Sequence, residues 1–309
     1  MSALTVAAWV VFWNPTSVPA FAAHPGGLDE ALVEWTGVDE KGMPFRRPRT
    51  AEQEATLRAA AKGKTVLYGM ANNYVDPAGF DAARMSLMLN DPTRRKAHVE
   101  ALATIAGQDK LDGFDLDYES LKADDKDEFT LFVRDLAAAL HRNKRKLSVT
   151  VHPKQEDDGS WDGPKAQDYA AIGKWADVVR VMAYDFSWST SKPGPIAPDD
   201  WVRRVAKYAI SRIPAKKVSL GIPCYGYDWS KTPATSLTYD DYLRGWGGRA
   251  LNLAPDSGED SETTMRFAGA AAFARKLAIA KELGLGGVSF WYVGSEDPYV
   301  WKLLRSQRK

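Results

Sequence analysis

Apolar and polar positions along this chain follow two alternating periods. Short runs rich in β-branched and aromatic residues recur at residues 6–13, 28–35, 65–70, 111–119, 147–151, 178–183, 218–222 and 287–291. Several are apolar at nearly every position, the pattern of a strand covered on both faces. Between them, apolar residues recur at helical spacing, as in Phe129, Phe132, Val133, Leu136 and Leu140. Helix starts are marked as well. Thr50 with Gln53 forms a capping box and Gly63 ends that helix, while Asp91-Pro92 supplies a cap and a first-turn proline. Asp124 or Asp125, Asp199 with Asp200, and Asp297-Pro298 open three more helices. A looser helix is expected over 166–175 and a clear one over 268–283, stopped by Gly284. The section 227–266 is weakly patterned, with one short helix near 239–243.

Strands that alternate with helices imply a parallel sheet with right-handed crossovers. Eight such units predict an α/β fold of the closed (β/α)8 TIM-barrel type, one domain over 1–309 without a full α+β insertion. No G-x-G-x-x-G follows an early strand, which counts against a dinucleotide-binding sheet.

One strand departs from the apolar rule. In Asp112-Gly113-Phe114-Asp115-Leu116-Asp117-Tyr118-Glu119 large apolar residues alternate with acids. A period of two puts Asp115, Asp117 and Glu119 on one face, about 6.6 Å apart in turn. Ionised carboxylates so close on a partly buried face repel, so at least one should keep a proton near neutral pH. A protonated acid among ionised neighbours is what general acid catalysis requires. A calcium loop starting at Asp115 would need Gly and Glu where this chain has Ser120 and Lys126. Asp112 is read as fixing the turn into the strand.

Barrels of this class carry their sites at the carboxyl ends of the strands. Those ends hold Trp13 and Asn14, Asn72 and Asn73, Glu119, His152, Tyr184 with Asp185, Tyr225, and Trp291. The set is polar and aromatic throughout. Eleven tryptophans and twelve tyrosines supply candidate platforms for sugar rings. For Trp13, Trp188, Tyr225 and Trp229, rim packing and sugar stacking both remain open.

Composition narrows the chemistry further. With 41 basic and 40 acidic residues there is no electrostatic footprint for nucleic acid. Cys224 is the only cysteine and sits in an apolar strand pattern, so no internal disulfide can form. His24, His98, His141 and His152 lack ligand spacing, so no metal or cofactor is expected. Only His152 lies at the predicted active face, where a supporting role is open. No apolar run is long enough to span a bilayer. Residues 4–13, with 20–23 as a loose cleavage site, imitate an export signal, but no basic residue precedes them and residues 4–13 read as the first strand.

D-G-x-D-x-D-x-E, matched here by Asp112 to Glu119, resembles the signature of glycoside hydrolase family 18, which holds chitinases and related N-acetylglucosamine-polymer hydrolases. Met182-Ala183-Tyr184-Asp185 resembles the family's M-x-Y-D motif, and Gly221-Ile222-Pro223 with Tyr225-Gly226 its seventh strand. Trp291 matches the tryptophan that floors the sugar subsite. The segment 284–297 looks most like a bacterial branch acting on spore cortex or other envelope polysaccharide. Many family chitinases carry S-x-G-G at strand three, where this chain has Tyr68-Gly69-Met70-Ala71-Asn72-Asn73.

The resemblance implies a retaining enzyme that uses the substrate's own N-acetyl group. Glu119 would be the acid, Asp117 would hold the acetamide nitrogen, Asp115 would tune Asp117, and Tyr184 would bond the acetamide oxygen. Asp185, Trp291, Trp13, Asn72, Tyr225 and Trp188 would bind substrate. The expected partner is an N-acetylglucosamine-containing polysaccharide, met outside the cytoplasm by a monomer, although no export signal is visible. Two alternatives are a lectin-like barrel and an enzyme releasing N-linked glycans.

Overall fold

The eight apolar runs form one closed sheet in the computed structural model, which describes residues 3–76, 79–245 and 264–307. Its strands are β1 (Thr5–Val10), β2 (Glu30–Val38), β3 (Val66–Asn72), β4 (Gly113–Asp117), β5 (Lys146–Val151), β6 (Val178–Val181), β7 (Val218–Pro223) and β8 (Gly287–Trp291). Neighbours pair in parallel and in sequence order. β1 pairs with both β2 and β8, so no edge remains open. This is the (β/α)8 barrel that the alternation predicts.

The pleat sorts side chains between two compartments. Phe114, Leu116 and Tyr118 join the large cluster under the helices, while Asp115 and Asp117 are buried on the inner side with Trp9, Tyr68 and Met70 nearby in the lumen. The lower lumen is polar. Arg180 on β6 donates to Ser148 (2.7 Å), Ser289 (3.0 Å) and Glu30 (2.6 Å), and its Nε lies 3.4 Å from Asp115. A buried guanidinium persists only when fully paired, and here four strands supply the partners.

Helix starts match the markers in most places. The Thr50 capping box forms in both directions, and Asp91 accepts from Thr93 and Arg94. Asp125 stands at the start of Lys126–His141 but caps nothing there. Its carboxylate is taken by Ser86 (2.5 Å) and Asn90 (2.6 Å). The single helix expected over 166–175 is two pieces, Asp162–Lys165 and Tyr169–Trp175, because Asp168 caps the second by accepting from Ala171 (2.9 Å). β1 stops at Val10 rather than Trp13, since the Val11 N–H turns to Ser17 Oγ (3.1 Å) at the start of the helix Ser17–Ala23.

The weakly patterned section before β8 contains a small antiparallel sheet, with Gly226–Asp228 between Thr235–Leu237 and Met265–Phe267. The short helix there runs over Tyr239–Gly245, and residues 246–263 lie outside the described residues. No helix among the described residues is long and apolar enough to cross a membrane.

Candidate active site

β4 ends at Asp117, and the chain then carries Glu119 onto the mouth of the barrel. Two anchors hold this segment. Tyr118 points outward and donates to His98 Nε2 (2.6 Å), while His98 Nδ1 donates to the Gly42 carbonyl (2.7 Å). On the inner side, Asn73 clamps the Glu119 backbone twice, accepting from its N–H and donating to its carbonyl, both at 2.9 Å. Ser120 follows in the left-handed region at φ 53° and turns the chain away. The acid is thus fixed by its backbone, and its side chain is only 17% exposed.

The three acids differ in their partners. Asp115 accepts from Trp9 Nε1 (3.0 Å), Ser148 (2.5 Å) and Thr150 (3.2 Å), and faces Arg180. Asp117 is buried, and its Oδ1 has no hydrogen-bond partner. Burial first, then the negative fields of Glu119, Asp115 and Glu34, hold its carboxyl well above the usual range. Glu119 is pushed up to about 8, chiefly by burial and then by Asp185. Near neutral pH it therefore carries a proton, as a general acid must.

Tyr184 reaches the same space from the end of β6. Burial, followed by the fields of Asp117, Glu119, Asp185 and Asp115, raises its hydroxyl well above the usual tyrosine value, so it remains a donor. Gly221 on β7 makes room for it. A Cβ there would come 2.4 Å from the Val181 carbonyl and 3.0 Å from the Tyr184 ring. Asp185 adopts φ 55° and opens to the groove, with its carboxylate accepting from Tyr225 (2.5 Å) and Tyr227 (3.1 Å). Although the residue is exposed, the protein packed around its carboxyl raises the pKa, while the two hydroxyls oppose the shift.

Trp291 is half-buried on the floor, edge-on to Trp9 with ring centroids 5.9 Å apart. Trp9 in turn holds Asp115, so floor and acids form one unit. Trp13 stands 59% exposed on the rim, its ring 5.1 Å from Tyr292. Trp188 is also exposed, and its carbonyl accepts from Trp229 Nε1 (3.1 Å).

Two of the expected sugar-binding residues are already committed to the protein. Tyr225 is buried and spends its hydroxyl on Asp185, so it supports an acid and presents no ring face to the groove. Asn72 is buried in a network, donating to Glu34 (3.3 Å) and accepting from Arg47. Glu34 itself lies 3.2 Å from Arg47. Sequence reasoning assigned no role to Asn73, Glu34, Tyr227 or Arg180. The strand-end pair Asn72-Asn73 places Asn73 at the predicted active face without giving it a role; the other three carry no local signal.

A raised carboxyl at the mouth of a (β/α)8 barrel, beside a buried tyrosine and with tryptophans at the strand ends, is the equipment of a glycosidase. The family model for glycosyl hydrolases family 18 matches residues 78–296, most of the chain, and the protein belongs to that family. Among curated relatives, an uncharacterized glycosylase, YvbX, of Bacillus subtilis is 27% identical over 272 residues, covering 82% of this chain and 78% of the relative. The cortical fragment-lytic enzyme of Bacillus subtilis is 26% identical over 275 residues, covering 81% of this chain and 62% of the relative. Of solved structures, a class V chitinase from Pseudomonas fluorescens superimposes with a TM-score of 0.88 at 26% identity, covering 99% of this chain and all of that one (100%).

Proposed function

We propose that this glycosidase hydrolyses β-1,4 linkages next to N-acetylglucosamine in chitin-like or cell-envelope polysaccharide, with retention of configuration. Substrate assistance is the known exception of this family to the two-carboxylate scheme. Glu119 gives its proton to the glycosidic oxygen as the bond to the anomeric carbon breaks. The acetamide oxygen of the same sugar forms the new bond to that carbon, closing an oxazolinium ring. Asp117 accepts the acetamide N–H and balances the positive charge, and Tyr184 donates to the acetamide oxygen. Water then attacks the anomeric carbon, losing its proton to the Glu119 carboxylate, and the acetamide is restored.

The observation that carries this reading is the unpartnered Oδ1 of buried Asp117. A buried acceptor without a donor is costly, and an acetamide N–H arriving from the substrate would satisfy it. Relatives described as a cortical fragment-lytic enzyme and a class V chitinase support the substrate class. Such polymers lie outside the cytoplasm, where the protein would act. Incubation with N-acetylglucosamine oligomers tests the proposal. Products of retained configuration, formed by the native protein and not by Glu119→Gln, are expected. Equal product from both would remove Glu119 from its role.

A further inference from the structure

His152 follows β5 and lies against the acid without a part in the steps above. Its Nδ1 is 3.7 Å from Glu119 Oε2, and its ring centroid is 4.7 Å from that of Trp161. Its backbone N–H donates to Gln167 (2.7 Å), and its carbonyl accepts from the Tyr169 hydroxyl. Ser120 N–H donates to Nε2 at 3.4 Å. Gly163 packs so tightly beside it that a Cβ there would fall 2.9 Å from Nε2 and 2.4 Å from the Trp161 ring. This imidazole is held from several sides.

The tautomer follows from these contacts. A backbone N–H can only donate, so Nε2 accepts and carries no proton. Burial pushes the imidazole down to about 4, so the ring is neutral at neutral pH. Its single proton therefore sits on Nδ1, facing the carboxyl of Glu119.

We propose that His152 is a positioning residue for Glu119, its Nδ1–H donating to the carboxylate that Glu119 becomes after giving up its proton. The proposal rests on the acid–base reading of Glu119 given above. At 3.7 Å the free protein has no hydrogen bond here. The contact closes when the oxygen ionises and attracts the donor. The imidazole thus holds the base in place for the water step without competing for the proton of the first step.

Other charged and titratable groups face the pair from each side. Asp117 on β4 and Asp185 beyond β6 oppose ionisation of Glu119, and the Tyr184 hydroxyl lies among the three. On the far side of His152, the Tyr169 hydroxyl is occupied by the His152 carbonyl. Lys154 points to the Asp157 carbonyl (3.1 Å) and over the Tyr169 ring. His152 is the neutral donor that favours the charged acid.

The test compares the native protein with His152→Ala and with His152→Asn, whose side-chain amide N–H can replace Nδ1–H. Two readouts are taken: the pH profile of kcat/KM on a chromogenic N-acetylglucosamine oligomer, and the titration of 13C-labelled Glu119 without substrate, assigned with Glu119→Gln. In His152→Ala the basic limb and the Glu119 titration should both rise by about one pH unit, a tenfold change in equilibrium. His152→Asn should bring both back toward the native values. A titration that stays put or falls in a folded His152→Ala overturns the proposal, as does a loss of rate in both variants with no shift. If the native protein cleaves nothing while its titration follows the substitutions, the contact stands and the enzymatic reading fails. Native cleavage with an unmoved titration has the reverse meaning.

Discussion

At the base of the barrel Asp115 meets donors on both oxygens, and beside it Arg180 ties β6 to strands β2, β5 and β8. At the mouth, two residues further along the same strand and face, Asp117 keeps one oxygen without a partner. Both carboxyls are buried, so burial alone does not separate their roles. The supply of donors does. The base is a closed network that serves the fold, whereas the mouth is left short of donors and the carboxyls of Asp117 and Glu119 are raised above their ordinary range. In the proposed mechanism, the N–H that completes the mouth comes from the substrate.

The largest expected effects lie at the mouth. Glu119→Gln removes the acid and base together and should lower kcat/KM on N-acetylglucosamine oligomers by roughly a hundredfold to ten-thousandfold, with the folding midpoint retained. On the proposed mechanism, Asp117→Asn would leave the developing oxazolinium without its counter-charge, and kcat should fall roughly a hundredfold or more. Urea titration should show that this variant is at least as stable as the native protein. A large loss of stability would erase the contrast between mouth and base.

Arg180→Met reverses the pattern. It strands Asp115 and Glu30 without their cation, and unfolding free energy should drop by about 3–5 kcal/mol. Full stability in this variant would show that the lower lumen is not a closed charge network.

Stability should also depend on pH through the mouth. Glu119 rises from an ordinary value of 4.5 to about 8 in the folded protein. Between those limits the folded protein keeps a proton that the unfolded chain has released. The resulting contribution is full below pH 4.5 and is lost as pH climbs through about 8. Asp117 shifts in the same direction and adds to the slope. Denaturation across this range should find a shallower decline in Glu119→Gln than in the native protein; parallel curves would count against the raised value. The smallest effect is expected at the rim, where Trp13→Ala should raise KM severalfold through loss of about 0.5–1.5 kcal/mol of stacking, leaving kcat and stability alone.

Much of this was legible in the chain, for physical reasons that differ by region. The barrel strands announce themselves because each is buried on both faces, and β4 because its alternation sets acids against Phe114, Leu116 and Tyr118. The roles proposed for Asp117 and Tyr184 rest on the family resemblance, since spacing shows only that acids share a face. Arg180 was hidden because one charged residue inside Val178–Val181 gives no hint of partners on four other strands. The service of Tyr225 to Asp185 depends on a left-handed backbone at Asp185 that no local pattern marks. Three-residue strands such as Gly226–Asp228 are too short to show a period. The Ser17–Ala23 helix, with Pro19 and small residues, lacks an apolar stripe.

Calorimetric titration with an N-acetylglucosamine thiazoline, whose ring nitrogen presents the N–H of the oxazolinium ring once it takes up a proton beside Asp117, tests the central claim most directly. The native protein should bind it, Asp117→Asn should bind it roughly a hundredfold more weakly, and a folded Trp13→Ala should lose only a few-fold. Equal affinity in the native protein and Asp117→Asn would contradict the assignment of that open oxygen to the acetamide.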